Sequence, residues 1–155
     1  MFSNPQKNIE QFILGEDWHV ADFGTGSGAY ALAAARAVGP DGKVYAIDVK
    51  TETLSRLKKE ADTARLHNIE ILRGNLEKLG GSGLRDEACD AIIISNVLFQ
   101  IDDRQVFVRE VGRVLKKGGK VLVVDWSQSF GGVGPEAGAV YREDAAQELF
   151  TGAGF

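Results

Sequence analysis

The sequence predicts an α/β fold: a doubly wound, mostly parallel Rossmann-like sheet of about five strands with helices on both faces. Apolar segments alternate with segments of helical periodicity, as in parallel sheets whose strands are joined by helices. One apolar segment leads into a glycine-rich turn and an alanine-rich helix, Ala29 to Val38, a unit that is typical of nucleotide binding. The length of 155 residues favours a single domain, 1–155.

Composition narrows the classes of protein and partner. The net charge of −4 argues against nucleic-acid binding, which needs a basic face. The single cysteine, Cys89, excludes an internal disulfide and a cysteine-cluster metal site, and we interpret it as structural. No run approaches the ~18 apolar residues of a membrane span, and the N-terminus lacks the order of a signal peptide. We therefore expect a cytoplasmic protein without a membrane span or a bound metal.

The glycine-rich turn follows the first predicted strand, Trp18 to Phe23, and is the main candidate for ligand binding. Glycine adopts positive φ without strain and lets the backbone approach a ligand, while a helix start offers N–H groups. The turn consists of Gly24, Thr25, Gly26, Ser27 and Gly28.

Three interpretations of this turn remain open. Gly24, Gly26 and Ala29 fit the Gly-x-Gly-x-x-Ala form of dinucleotide-binding proteins. Asp22 also fits, as the first residue of Asp-x-Gly-x-Gly-x-Gly, and its carboxylate suits a cationic ligand but repels a pyrophosphate. The third interpretation is a tight strand–helix turn without a ligand.

A second acid stands at the end of the second predicted strand, Lys43 to Asp48. Asp48 follows Gly28 by 20 residues, close to the spacing at which an acid binds ribose hydroxyls. Its carboxylate can accept hydrogen bonds from the 2′- and 3′-OH. The alternative is that Asp48 caps the helix that follows.

Two more strands end on the same side, where open α/β sheets bind ligands. Ile69 to Leu72 is followed by Asn75 and Leu76, which are placed to contact an adenine ring or else form a surface turn. Cys89 to Ser95 reads as a strand buried on both faces, and Ser95 and Asn96 end it beside the ligand.

The remaining segments complete the pattern. The segment Met1 to Leu14 is predicted to be helical after Pro5. This helix either packs on the sheet, with Ile9, Phe12 and Ile13 on one face, or covers the ligand with Phe2 nearby. Gly80 to Gly83 is predicted as a flexible loop, and the glycine-rich stretch 127–140 as a lid near the substrate. Further helices are predicted at Thr51 to His67 and at Glu143 to Thr151. Another helix is predicted from Asp102 or Asp103 to about Lys116, and Gly118 and Gly119 are expected to stop it. A fifth strand is predicted at Lys120 to Trp126.

Six pieces in order resemble class I S-adenosylmethionine (SAM)-dependent methyltransferases, and within them the methyltransferase-11 or ubiquinone/menaquinone C-methyltransferase-like group. They are VADFGTGSG (20–28), VYAIDV (44–49), RGNLEKL (73–79), DAIIISNVLFQI (90–101), LKKGG (115–119) and AGF (153–155).

The resemblance implies methyl transfer from SAM to a small-molecule acceptor, with S-adenosylhomocysteine as product. The motifs Asn-Pro-Pro-Tyr and Pro-Cys, which mark two kinds of nucleic-acid methylation, are missing. No catalytic residue is assigned; Asp102, Asp103 and Tyr141 are candidate bases without a preference among them. The expected cofactor-binding residues are Asp22, Gly24, Thr25, Gly26, Ser27, Gly28, Asp48, Val49, Asn75, Leu76, Ser95 and Asn96.

Three departures from the family pattern matter. Lys117 replaces the usual proline of the turn, and Asn75 replaces a frequent aspartate but still accepts a hydrogen bond. Family members continue after AGF with two further strands, whereas this sequence ends there, which leaves Val121 to Val124 as an exposed edge. We expect two copies to pair through that edge. An NAD-dependent oxidoreductase and a SAM-binding module without catalysis are the alternative functions.

Overall fold

The computed structural model describes residues 3–127 and 133–155, and within these ranges it contains five α-helices and five strands. Helices and strands alternate along most of the chain, as predicted. In chain order they are α1 (Pro5–Phe12), β1 (His19–Phe23), α2 (Ala29–Val38), β2 (Lys43–Asp48), α3 (Thr51–Thr63), β3 (Ile69–Arg73), β4 (Cys89–Ser95), α4 (Arg104–Val114), β5 (Leu115–Val124) and α5 (Glu143–Gly152). No helix in the described ranges has the length and apolar character needed to cross a bilayer.

The five strands form one parallel sheet in the order β3-β2-β1-β4-β5, which confirms the predicted fold class. The chain builds outward from β1 to one edge, then crosses back to β4 and builds to the other edge. The carboxyl ends of β1 and β4 therefore flank the point where the topology reverses, and open α/β sheets bind ligands there.

Successive side chains of each strand point to opposite faces of the sheet, and a hydrophobic core lies on each face. Val20 and Ala46 meet Ile9 of α1, Leu57 of α3 and the alanines of α2 on one face. On the other face, a core that includes Phe23 and Ile92 packs against α4 and α5, with the rings of Phe23 and Phe107 edge to face. Because α2 presents mostly alanines to the sheet, its axis can lie close to the strands.

Two helices end earlier than predicted, and a residue just past the end of each is exposed to solvent. The first ends at Phe12 because Ile13 adopts a left-handed conformation, with a φ of 58°, and its side chain is 69% exposed. The third ends at Thr63, and Ala64 is exposed, because Arg65 has a φ of 56° and its N–H turns back to Asp62. Both are left-handed residues other than glycine, which sequence patterns rarely reveal.

The prediction that Gly118 and Gly119 stop α4 is wrong. The helix already ends at Val114, and β5 begins at once. Leu115 pairs with Cys89 and Lys120 pairs with Ala91, so four residues bulge opposite one residue of β4. The glycines lie inside this bulge, which lets the strand regain its register.

The loop Gly80 to Gly83 is also different from its prediction, because a carboxylate on α4 holds it. Glu110 is fully buried and accepts hydrogen bonds from the Gly80 N–H (2.8 Å), the Ser82 N–H (3.0 Å) and the Ser82 hydroxyl (2.6 Å). Arg113 pairs with the same carboxylate at 2.7 Å. The glycine content suggested flexibility, but a distant helix supplies the loop's partners.

Candidate functional site

A cavity of about 720 Å³ opens at the carboxyl ends of the strands, where the topology reverses. Its size lies within the range of small-molecule sites. It brings together ten of the twelve predicted cofactor-binding residues from four separate segments. These ten are Gly24, Thr25, Gly26, Ser27, Asp48, Val49, Asn75, Leu76, Ser95 and Asn96. The other two, Asp22 and Gly28, do not line the cavity.

The three glycines of the turn all have positive φ, but they serve different purposes. A Cβ atom at Gly24 would lie 2.6 Å from Val97, and one at Gly28 would lie 2.5 Å from Leu57. These two positions therefore require glycine for packing inside the protein. At Gly26 the nearest atom, the Gly24 carbonyl oxygen, is 4.0 Å away, so only the middle glycine keeps open space on the cavity side.

Most N–H groups of the turn are satisfied within the protein rather than left for a ligand. Gly24 and Thr25 donate to the Ile47 carbonyl, Gly26 to the Asp48 carboxylate, Gly28 to the Thr25 carbonyl and Ala29 to the Ser27 hydroxyl. A pyrophosphate bound at a glycine-rich turn needs such donors free. The geometry therefore does not favour the dinucleotide interpretation.

Asp22 is buried below the turn with one carboxylate oxygen unsatisfied. Its Oδ2 accepts from the Thr25 hydroxyl at 2.7 Å, whereas Oδ1 has no hydrogen-bond partner of normal geometry in the described chain. Burial raises the pKa of Asp22 to about 7, and the nearby Asp48 charge acts in the same direction, while the Thr25 bond opposes them. Asp22 does not line the cavity itself, but its hydrogen-bond partner Thr25 does.

Asp48 lies at the cavity wall and connects the turn to the start of α3. Its carboxylate accepts from the N–H groups of Gly26 and Lys50, each at 3.1 Å. Lys50 is the N-cap residue of α3, so the alternative that Asp48 caps this helix is wrong; Asp48 contacts only the N–H of that cap residue. Two bonds leave further lone pairs on the carboxylate, and the predicted ribose contact is compatible with the helix-entry contact.

The loops after β3 and β4 form the opposite wall. Asn75 makes a turn by accepting the Glu77 N–H at 2.9 Å, and the buried Leu76 joins the core beneath it. Asn96 has a φ of 56° and donates its N–H to the Val124 carbonyl at 2.6 Å. Asparagine tolerates this left-handed conformation better than most residues. The conformation of Asn96 turns the chain at the end of β4.

Several cavity residues were not predicted from the sequence. The Tyr30 hydroxyl shares hydrogen bonds with Ser3 (2.9 Å) and Asn8 (2.7 Å), so it ties the start of α1 to the cavity mouth. Asp125 lines the cavity at the end of β5; burial raises its pKa. Asp125 stands at a strand end, as Asp48 does, so the sequence held a usable indication of it.

Other predictions fall outside this cavity. Phe2 lies outside the described residues, as does part of the 127–140 loop. None of the candidate bases Asp102, Asp103 and Tyr141 lines the cavity. Tyr141 borders instead a groove of about 1090 Å³ along the outer edge of β5, next to α5. Within residues 3–127 and 133–155, no three histidine, cysteine or acidic side chains are grouped to hold a metal ion.

Comparison with known proteins identifies the family. Residues 21–123 match the family model of a methyltransferase domain. The chain belongs to this methyltransferase family. Demethylmenaquinone methyltransferase of Bacillus mycoides is 33% identical over 103 residues, 66% of this chain and 42% of that protein. Arsenite methyltransferase of Mus musculus is 32% identical over 117 residues, 71% of this chain and 31% of that protein.

A solved structure extends the likeness to almost the whole chain. A SAM-dependent methyltransferase from Aquifex aeolicus superposes with a TM-score of 0.87 at 30% identity, covering 97% of this chain and 79% of that one. The chain spans less than half the length of the two curated relatives named above, 42% and 31%. The predicted family resemblance is confirmed.

Proposed function

We propose that this chain binds SAM in the strand-end cavity and transfers its methyl group to a small-molecule acceptor. The observation that carries the proposal is the chemistry of the turn: most of its N–H groups donate to acceptors within the protein, while carboxylates line the cavity. Asp48 and Asp125 line it together with one cation, Lys50, and Asp22 lies buried below. Such a site attracts a cation and repels a pyrophosphate, which favours SAM over NAD.

The proposed orientation follows from the polar groups around the cavity. Asp48 accepts hydrogen bonds from the ribose hydroxyls, and Asn75 and Leu76 contact the adenine. The open side of Gly26 receives the amino-acid end, since a side chain there would occupy that space. Ser27, Ser95 and Asn96 complete the walls between these ends.

When bound, SAM supplies a methyl group on a positively charged sulfur, so the leaving group needs no further activation. The residues of this chain then have three tasks: to orient the cofactor, to hold the acceptor in line and to keep water out. The carboxylates around the cavity favour a cationic cofactor over a neutral product. We assign no general base, because the three candidates lie away from the cavity.

The acceptor class is proposed as a small molecule, in keeping with the names of the two relatives above. Calorimetric titration with SAM, S-adenosylhomocysteine and NAD tests the first step. We expect the first two to bind and NAD to give no heat; the reverse result would overturn the proposal. A panel of small acceptors with radiolabelled SAM then tests transfer.

A second candidate is a SAM-binding module without catalysis. It is favoured by the position of the candidate bases Asp102, Asp103 and Tyr141, none of which lines the cavity. Binding of S-adenosylhomocysteine with no methylation of any acceptor in the panel would support it over the enzyme.

We also infer that two copies pair through β5. This strand stands at the sheet edge, and in the described residues no other strand pairs with its outer side. Val121 to Val124 are only partly buried there, and such an edge favours pairing with another strand. Light scattering at increasing concentration should show a dimer; a monomer throughout would reject the inference.

A further inference from the structure

Two loops close one end of the cavity, and a single side chain joins them. The first loop follows β3 and contributes Asn75 and Leu76; the second precedes α4 and contributes Gln100 and Ile101. Glu77 of the first loop reaches the second and also lines the cavity. One of its oxygens, Oε1, accepts the N–H groups of two successive residues, Asp102 at 2.7 Å and Asp103 at 3.0 Å.

The receiving end of this contact is the start of α4, where N–H groups lack partners within the helix. Asp103 caps the helix from its own chain by accepting the Val106 N–H at 3.1 Å. Glu77 adds a second carboxylate from a loop 25 residues earlier in the sequence. Its negative charge also interacts favourably with the positive end of the helix dipole.

The contact fixes the distance between the two loops. Leu76 and Ile101 belong to one core cluster, so each loop is anchored to the core by an apolar side chain. The polar part of the second loop is held to the first through the two bonds to Glu77. Without them, the residues at 102–103 lose a charged acceptor, and the wall that contains Gln100 and Ile101 loses its support.

We propose that Glu77 is a positioning residue that sets the spacing of these two loops and thereby the affinity for the nucleoside end of the ligand. The inference rests on the proposed binding of SAM. Its action runs through the N–H groups of Asp102 and Asp103, so it requires an acceptor oxygen rather than a charge in contact with the ligand.

Two substitutions separate these roles. Glu77→Ala removes both hydrogen bonds, whereas Glu77→Gln keeps a carbonyl oxygen that can accept them. Asp103→Ala is the matched control: it removes a carboxylate from the same helix start, but one that caps its own chain and does not line the cavity. Circular dichroism and thermal unfolding establish that each variant is folded at the temperature of measurement.

The binding of SAM, S-adenosylhomocysteine and adenosine is measured by calorimetry for each variant. We expect Glu77→Ala to weaken all three ligands by a similar factor of about 10, because the lost positioning acts on the part they share. Glu77→Gln should weaken them by less than about threefold, and Asp103→Ala by less than about twofold, although it lowers stability. Where an acceptor is known, KM for SAM should rise with kcat unchanged.

The outcomes distinguish this inference from the proposed function. A wild-type chain that binds none of the three ligands overturns the proposed function and this inference with it. Normal wild-type binding with an unaffected Glu77→Ala variant overturns the inference alone. Equal losses in Glu77→Gln and Glu77→Ala would also overturn it, because they would assign the effect to a charge that contacts the ligand.

Discussion

Asp22 and Glu110 are both fully buried carboxylates, yet their pKa values move in opposite directions. Burial raises both, but Glu110 is met by Arg113, Ser82 and two loop N–H groups, which together bring its pKa down to about 2. The Thr25 hydroxyl and the Ala31 N–H lower the pKa of Asp22 by less than burial raises it, so this pKa rises to about 7. The two carboxylates therefore differ in the number of hydrogen-bond donors and cations that they meet.

The comparison separates a structural region from a functional one. Around Glu110 every charge has a partner, and the result is a fixed loop and a fixed helix end. Around Asp22 one oxygen remains unsatisfied and a second carboxylate, Asp48, stands nearby. Unsatisfied buried acids are costly, so a protein retains one where a bound group offsets the cost. A cationic ligand in the adjoining cavity would do so.

The largest expected effect comes from removing Glu110. Glu110→Ala leaves the Arg113 cation and the N–H groups of Gly80 and Ser82 without their acceptor, so we expect a loss of about 3–5 kcal/mol in the free energy of unfolding. Urea unfolding at neutral pH measures it. The double variant Glu110→Met with Arg113→Met should recover much of the loss. A loss below about 1 kcal/mol in the single variant would contradict the structural role.

The second prediction concerns pH. The folded-state pKa of Asp22, about 7, lies above its ordinary value of 3.8, so the folded protein holds this proton more tightly than the unfolded chain. Its contribution to stability is full below about pH 4 and is lost as the pH rises through about 7. Glu110 behaves in the opposite way: its contribution is present above about pH 4.5 and is lost as the pH falls through about 2.

Asp22→Asn removes the first of these dependences. Relative to the wild type, the variant should gain about 2–4 kcal/mol of unfolding free energy between pH 4 and pH 8. Urea unfolding at both pH values gives the difference directly, and Asp90→Asn, at a carboxyl whose pKa is lowered, serves as a control without this gain. Parallel pH profiles for wild type and Asp22→Asn would show that Asp22 is ionised in both states.

The third prediction uses the glycines to separate packing from binding. Gly28→Ala forces a Cβ against Leu57, and we expect it to cost about 1–3 kcal/mol of stability. Gly26→Val meets no protein atom nearer than 4.0 Å at its Cβ, but its φ of 51° strains a branched residue, so we expect some loss of stability together with the loss of SAM binding, because the side chain fills the cavity side of the turn. Thermal unfolding and calorimetry on both variants test this. Normal SAM affinity in Gly26→Val would place the ligand elsewhere.

Local features were predictable from the sequence, and contacts between distant segments were not. The bounds of α2, β2 and β4, the sheet class and the turn at Gly24 to Gly28 follow from periodicity and from residues a few positions apart. Ten of the predicted site residues line one cavity because parallel strands end at the same side of the sheet. Their contacts with a ligand remain predictions.

The contacts that the sequence did not predict join residues far apart along the chain. Glu77 meets Asp102 across 25 residues and Glu110 meets Gly80 across 30, so no local pattern reveals either contact. The same holds for Tyr30, which meets Ser3 from 27 residues away. The bulge before Lys120 was missed because Leu115 continues the apolar stripe of α4, and only the pairing with β4 decides where the helix gives way to strand.

The last prediction concerns Asp48, which already has structural partners. Asp48→Ala removes the proposed hydrogen bonds to the ribose, and the loss of ~1.5–3 kcal/mol corresponds to an increase of about 10-fold or more in the Kd for SAM. The same change also removes acceptors for the N–H groups of Gly26 and Lys50, so part of the loss comes from the turn itself.

Asp48→Asn separates the loss of charge from the loss of these acceptors, because its amide oxygen still accepts one N–H while the charge is gone. Adenosine and its 2′,3′-dideoxy analogue complete the test by calorimetry: the wild type should prefer adenosine, and Asp48→Ala should not discriminate. Unchanged discrimination would remove Asp48 from the ribose site and leave it as the residue that fixes the entry to α3.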